Sequence, residues 1–177
     1  MSEKEWHRMV ATSISPDEDI FEHAKQHGNI YSNYIRDGFI KLAVLFDGEG
    51  TITLRYRKSN GKEIFEPRLI IYNTDVDIIE WVSDNFNGTV KPDKRSKKPC
   101  YRWTTNNQYE IEQLLDDLLP YFISKRKKKL AELLLEWIAL HQKTKATQHI
   151  SKRKGERFKW EKRECDIHEE MRKLNEK

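Results

Sequence analysis

Hydrophobic and polar positions divide this chain into segments of two periods. From Thr51 to Arg57 they alternate strictly, with Ile52, Leu54 and Tyr56 on one side and Thr51, Thr53, Arg55 and Arg57 on the other. A period of two belongs to a half-buried strand with one polar face. Asn60-Gly61 is a strong hairpin signal, and the return strand is expected over about Ile64 to Tyr72. Thr74 then predicts a helix cap, with Asp75 and Asp77 in the first turn and Ile78, Ile79, Val82 and Phe86 on the buried side. Asn87-Gly88 is expected to close that helix. Thr89 to Lys91 and Cys100 to Thr105 read as a second hairpin around a basic loop, Pro92 to Pro99.

The helical period frames these strands. Ile35 to Asp47 reads as a helix running into the first strand. Gln108 to Leu119 turns Ile111, Leu114, Leu115 and Leu118 inward and is broken by Pro120. A long helix is expected from Ser124 to Gln142, then a basic connection over 143–155, then an amphipathic helix from Phe158 to Leu174. Near the N-terminus, Ser15-Pro16-Asp17-Glu18 has the pattern of a capped helix start, with an element to about Gln26. We therefore expect residues 1–34 to be an N-terminal extension with a short helix, and 35–177 to be one domain. The fold class is α+β, with a four-stranded antiparallel sheet covered by helices on one face. The other face would carry Thr53, Arg55, Arg57, Arg68 or its neighbours, and Arg102. Such a face suits a β-ribbon reader of the DNA major groove, because Arg pairs bidentately with guanine. A merely solvated face is the alternative.

The first helix carries candidate chemistry. Its apolar run Leu42-Ala43-Val44-Leu45-Phe46 ends in Asp47-Gly48-Glu49-Gly50. A carboxylate at a helix C-terminus opposes the dipole unless a cation sits beside it. Carboxylate and backbone carbonyl are also the hard oxygen donors that Mg²⁺ takes.

Charge changes the picture through its distribution. The 177 residues carry a net charge of only +4. Yet basic residues cluster at Arg55–Lys62, Lys91–Arg102, Lys125–Lys129 and Lys152–Lys162. Local basic patches are the footprint of a polyanion partner. Cys100 and Cys165 have the distant spacing of reduced thiols. No apolar run approaches the roughly 18 residues of a membrane span, and the first residues lack a signal-peptide pattern. An intracellular setting is expected, cytoplasmic or at an organellar nucleoid. The histidines are scattered, and no Ser-His-Asp or Cys-His arrangement stands out.

Residues 42–50, the hairpin after them and Tyr72-Asn73-Thr74-Asp75 resemble the LAGLIDADG homing endonucleases of the single-motif type. So do Gly88-Thr89-Val90, Tyr101-Arg102-Trp103, Pro120-Tyr121-Phe122, Lys125–Lys129 and Ala131-Glu132-Leu133. The resemblance covers roughly residues 36–175. It implies the order αββαββα with additional terminal helices. It implies a homodimer joined through the motif helices, with Leu42, Ala43, Phe46 and Asp47 at the interface. It implies Glu49 and the Gly48 carbonyl as ligands of Mg²⁺ or another divalent cation, with Asn73 ordering solvent and Lys127 stabilising charge. Two positions depart from the family pattern: Val44 replaces its small glycine, and Asp75 and Asp77 stand where some relatives carry a base.

What the resemblance implies is metal-dependent cleavage of both DNA strands at a palindromic or nearly palindromic site. Arg55, Arg57, Arg68 and Arg102 are the expected base readers, with Thr53 a further DNA contact on the same face. Lys94, Arg95, Lys97, Lys98, Lys125, Lys152 and Arg153 are expected DNA contacts outside the sheet. The alternatives are an RNA-binding intron maturase and a silent sequence-specific DNA-binding protein on the same scaffold. The ends lack a protein-splicing pattern, so an intron-encoded or free-standing protein is expected over an intein.

Overall fold

The computed structural model of the chain describes residues 36–59, 62–94, 98–152 and 160–176; no side chain of residue 62 or of 146–152 is described. The expected helix near Ser15 and the Asn60-Gly61 turn lie outside the described residues. Helix α1 covers 36–48. Strands β1 (Gly50–Ser59) and β2 (Lys62–Asn73) follow, then α2 (Val76–Asn85), β3 (Thr89–Pro92), β4 (Tyr101–Thr105) and α3 (Gln108–Leu118). A 3₁₀ turn at Leu119–Tyr121 leads into α4 (Lys125–Lys152), and α5 (Lys162–Asn175) closes the described chain.

The strands form one antiparallel sheet in the order β1-β2-β4-β3. β1 and β2 pair from Gly50 with Ile71 out to Ser59 with Lys62. Pro67 is tolerated inside β2 because β4 pairs only from Leu69 onward. Its missing N–H therefore costs no bond on that side. Register decides the two faces, since directly opposed residues point the same way. Thr53 opposes Arg68, Arg55 opposes Glu66, and Tyr72 opposes Arg102. Ile52 opposes Leu69, and Ile71 opposes Trp103, on the other face, where all four are fully buried under the helices. The expected α+β architecture and the two-faced sheet are both present.

The core sits between that inner face and α1, α3, α4 and α5. Phe46 of α1 meets Trp103 of β4 edge-on, with ring centroids 6.5 Å apart. Gly88 is required here because a Cβ on it would lie 2.3 Å from Trp103 Nε1. The buried stripe of α4 runs through Lys127, Leu130, Leu134, Trp137, His141 and Thr144, the three- and four-residue spacing of one helix face.

Four boundaries differ from the sequence expectation. The cap of α2 is Asp75, whose side chain accepts from Asp77 N, rather than Thr74. Asp is the stronger cap, and Asn73 Oδ1 in turn accepts from Asp75 N at 2.9 Å. α2 stops at Asn85 with Phe86 extended, before Asn87-Gly88 is reached. α4 continues through 143–152, read from sequence as a connection. That stretch has no Gly or Pro to stop a helix, half of it is Lys, Ala and Gln, which favour one, and Thr144 is anchored by burial. α5 starts at Lys162 instead of Phe158, because Glu161 and Glu164 form a capping box there.

Candidate nuclease site and nucleic-acid face

The junction of α1 and β1 is tight. Glu49 N donates to Leu45 O at 2.8 Å, completing the last turn of the helix. One residue later the chain is already a strand. Gly50 makes this possible, since a Cβ there would lie 2.2 Å from Phe46 Cδ1 and 2.5 Å from Phe46 Cα. Glu49 therefore projects at a fixed point, exposed, at the end of the sheet. Asn73 Nδ2 donates to Glu49 Oε2 at 2.7 Å. Asn73 thus uses its amide on Glu49 and its carbonyl on the start of α2, and so ties the acid to the sheet.

Lys127 is brought to the same junction. Its Nζ donates to the carbonyl of Gly50, and only 5% of the residue is exposed. Burial lowers its pKa, the neighbouring Arg126 lowers it further, and Asp47 opposes both. Asp47 Oδ2 accepts from Ile123 N at 2.8 Å and Ser124 N at 3.2 Å. The carboxylate thus leaves the unfavourable end of α1 for the favourable N-terminal end of α4. There it also offsets the cations Lys125 to Lys129, which that helix end disfavours. Ser124 Oγ accepts from Lys127 N at 3.3 Å and completes the start of α4.

Glu49, Asn73 and Lys127 thus meet at one junction, over separations of up to 78 positions. The dimer-interface residues need correction. Leu42, Ala43 and Phe46 are fully buried in the chain's own core and have no surface to offer a second copy. Asp47 is spent on capping α4. The exposed apolar residues of α1 are instead Ile40 (37%) and Val44 (51%), with Arg36, Asp37, Lys41 and Gly48 also exposed. Residues 40, 44 and 48 lie one turn apart on one helix face.

The open face of the sheet holds every expected base reader. Thr53, Arg55, Arg57, Arg68 and Arg102 share it by register, and Lys91 joins it opposite Arg102. Sequence reasoning missed Glu66, which lies among them and binds two of the arginines. β2 offered no strict alternation that would have placed it, since Leu69 to Tyr72 is an unbroken apolar run. Lys94, Lys98 and Lys125 are exposed. Arg95, Lys97 and Arg153 lie outside the described residues, and Lys152 ends α4 with its side chain undescribed. Among the described residues no group of three His, Cys, Asp or Glu side chains could hold a metal ion, and no helix is long and apolar enough to cross a membrane.

No protein-family model and no curated protein matches the chain. Solved structures do. The group I intron-encoded homing endonuclease I-CeuI, complexed with DNA, superposes with a TM-score of 0.56 and 16% identity, over 76% of this chain and 81% of that one. I-GzeII, a LAGLIDADG homing endonuclease in complex with its DNA target, gives a TM-score of 0.51 and 14% identity over 77% and 42%. The chain has the LAGLIDADG homing endonuclease fold. Meganuclease I-SmaMI bound to uncleavable DNA also shares the LAGLIDADG fold, with a TM-score of 0.54 and 17% identity over 78% of this chain and 43% of that one. At these identities the likeness concerns the fold, and the chemistry rests on the residues above.

Proposed function

We propose that the chain is a site-specific homing endonuclease that cleaves both strands of DNA with a divalent cation, as a homodimer on a palindromic or nearly palindromic site. The observation that carries this reading is the exposed Glu49 carboxylate. It is held by Asn73 at the end of a sheet whose open face is lined with arginines. On this reading the attack chemistry sits at the end of the strands that carry the base readers.

Glu49 and the Gly48 carbonyl are the groups that would hold the cation. Both are hard oxygen donors, and Mg²⁺ is commonly bound by one or two carboxylates together with substrate phosphate. One carboxylate per chain fits that pattern. A bound cation supplies Lewis-acid stabilisation of the phosphate and lowers the pKa of water. The chain's own residues do the positioning. Asn73 keeps the Glu49 carboxylate from rotating, and the second N–H of its amide would be the donor that orders a water. Lys127 holds the Gly50 carbonyl and so fixes the backbone beside Glu49. Its buried ammonium also adds positive potential beneath the site. Thr53, Arg55, Arg57 and Arg102 read the major groove from the open face, which Arg68 shares. Lys94, Lys98 and Lys125 contribute phosphate contacts, which add affinity without sequence information.

A homodimer follows from economy of the site. One chain supplies one Glu49, and cutting two strands calls for two. The Ile40, Val44 and Gly48 face of α1 lies beside Glu49, so joining two copies there brings both acids to the dyad. A two-fold dimer reads a site with matching symmetry.

The test is cleavage of a randomised palindromic library with Mg²⁺ by the full chain and by Glu49→Gln. The expected result is cutting of a defined site by the former, and binding without cutting by the latter. Equal cutting by both removes Glu49 from the mechanism. Specific binding without cutting by either identifies a silent DNA-binding protein.

A further inference from the structure

Among the described strand residues, Glu66 is the one carboxylate on the open face. On a surface meant for a polyanion its charge is a cost. Its geometry shows a compensating use. Arg57 Nε donates to Glu66 Oε1 at 2.6 Å, and Arg68 Nη2 donates to Glu66 Oε2 at 2.8 Å. Both carboxylate oxygens are engaged, one per arginine. Burial pushes the Glu66 carboxyl up, but the bonds from Arg57 and Arg68 win and hold it below the usual range.

The two arginines are not equivalent. The Arg57 side chain is 43% exposed and that of Arg68 is 24% exposed. Arg57 is bound through Nε, which leaves the Nη1–Nη2 edge as the fork that can face outward. That edge matches the O6 and N7 acceptors of guanine. Arg68 is bound through a terminal nitrogen, and its Nε is buried without a partner. It serves as a buttress. Resting on the neighbouring strand position, it keeps the Glu66 carboxylate from following Arg57 when that side chain moves.

We propose that Glu66 is a positioning residue that, braced by Arg68, locks Arg57 into a guanine-reading fork and so sets the base preference at one position of each half-site. The inference rests on the DNA-reading function proposed above. An unheld arginine reaches phosphates and several bases with similar ease. One tethered through Nε meets a guanine in one orientation, with little rotamer freedom left to lose.

The experiment is in vitro selection of bound sites from a randomised palindromic library. It uses the full chain, Glu66→Gln, Arg57→Lys and Arg68→Lys, each first shown to melt cooperatively. The full chain is expected to select guanine at one position per half-site. Arg57→Lys and Glu66→Gln should both lose that preference by about tenfold or more. Arg68→Lys should weaken it less, and other positions should keep their preferences. Non-specific affinity at the same salt should hold or tighten in Glu66→Gln. Loss of the preference in Glu66→Gln but not in Arg57→Lys would show that the carboxylate reads the base itself, and would overturn the proposal. So would unchanged preferences in Glu66→Gln. Failure of the full chain to select any sequence would instead defeat the DNA-reading function beneath it.

Discussion

Gly50→Ala and Gly48→Ala make a pair of perturbations that differ by two positions and should differ widely in effect. A methyl at Gly50 would lie 2.2 Å from Phe46 Cδ1 and 2.5 Å from Phe46 Cα. Ordinary carbon contacts are about 3.5–4.0 Å, so something must move by more than about 1 Å. The Phe46 ring is fully buried and packed on Trp103, and its Cα belongs to the helix backbone. Neither yields without shifting α1 against β1. Overpacking of this kind costs about 1–3 kcal/mol, and contact with backbone places Gly50→Ala near the top, about 3 kcal/mol. At about 2–4 °C per kcal/mol for a chain of this size, Tm should fall by roughly 6–12 °C. Gly48 has nothing within 4 Å of an added Cβ, and a helical Gly→Ala exchange gains up to about 1 kcal/mol. Its Tm should hold or rise slightly. Urea and thermal melts of both variants test this. Equal midpoints for the two would refute the close approach of strand to helix. The same shift at Gly50 displaces Glu49 and the carbonyl that Lys127 holds, so cleavage should be lost in Gly50→Ala even where the protein remains folded.

Three further outcomes are expected. Val44→Arg should abolish self-association in analytical ultracentrifugation while the separated chains still melt cooperatively, because Val44 is exposed on α1; an unchanged dimer would move the interface elsewhere. Asp47→Ala should cost about 1 kcal/mol in urea unfolding, the worth of a helix cap, since Ile123 N and Ser124 N lose their acceptor; no change would show the cap to be idle. The buried His141 stacks on both Trp137 and Trp160, with its Nδ1 3.1 Å from Glu164 Oε1. Burial, and then Lys145, lower its pKa from 6.5 to about 4. Between those values the unfolded chain takes up a proton that the folded one refuses, so stability is lost as pH falls through that window, by at most about 3 kcal/mol. Glu164 is raised by burial and works the other way. Unfolding from pH 7 down to 4 should therefore be steeper in the full chain than in His141→Phe, and parallel curves would dismiss the histidine's contribution.

The parts of this fold that could be read from sequence are those where periodicity is strong. The alternation Thr51 to Arg57 fixes the face of β1, and once Thr53 is known to point outward its partners on β2 follow. The acid-Gly-acid-Gly pattern marked Glu49 because it violates the dipole preference of a helix end. What escaped was whatever depends on a distant partner. Thr74 and Asp75 are both good caps, and only the Asn73 side chain, turned toward Glu49 on one side and Asp75 N on the other, decides between them. Residues 143–152 look like a charged linker until Thr144 is buried beneath α5. The burial of Leu42, Ala43 and Phe46, which were expected at a dimer interface, escaped for a related reason. The apolar residues of α1 run nearly all round the helix, so sequence cannot say which of them the chain's own sheet consumes. The sheet takes Leu42, Ala43 and Phe46, leaving Ile40 and Val44. Glu66 was missed because a single acid in a strand carries no signal until Arg57 and Arg68 are seen on either side of it.

β1 has unequal ends. Its first residues are locked, with Gly50 against Phe46, and Ile52 and Leu54 buried, whereas Arg55 to Lys58 are exposed. The strand is thus a graded tether, tightly constrained at the Glu49 end and permissive at the far end. A lineage, or an engineer, seeking a new target has most latitude at Arg55, Arg57 and their β2 partners, away from the junction that positions Glu49. Retargeting should therefore be accessible by stepwise change from the hairpin tip inward, and substitutions should become steadily more damaging to cleavage as they approach Gly50.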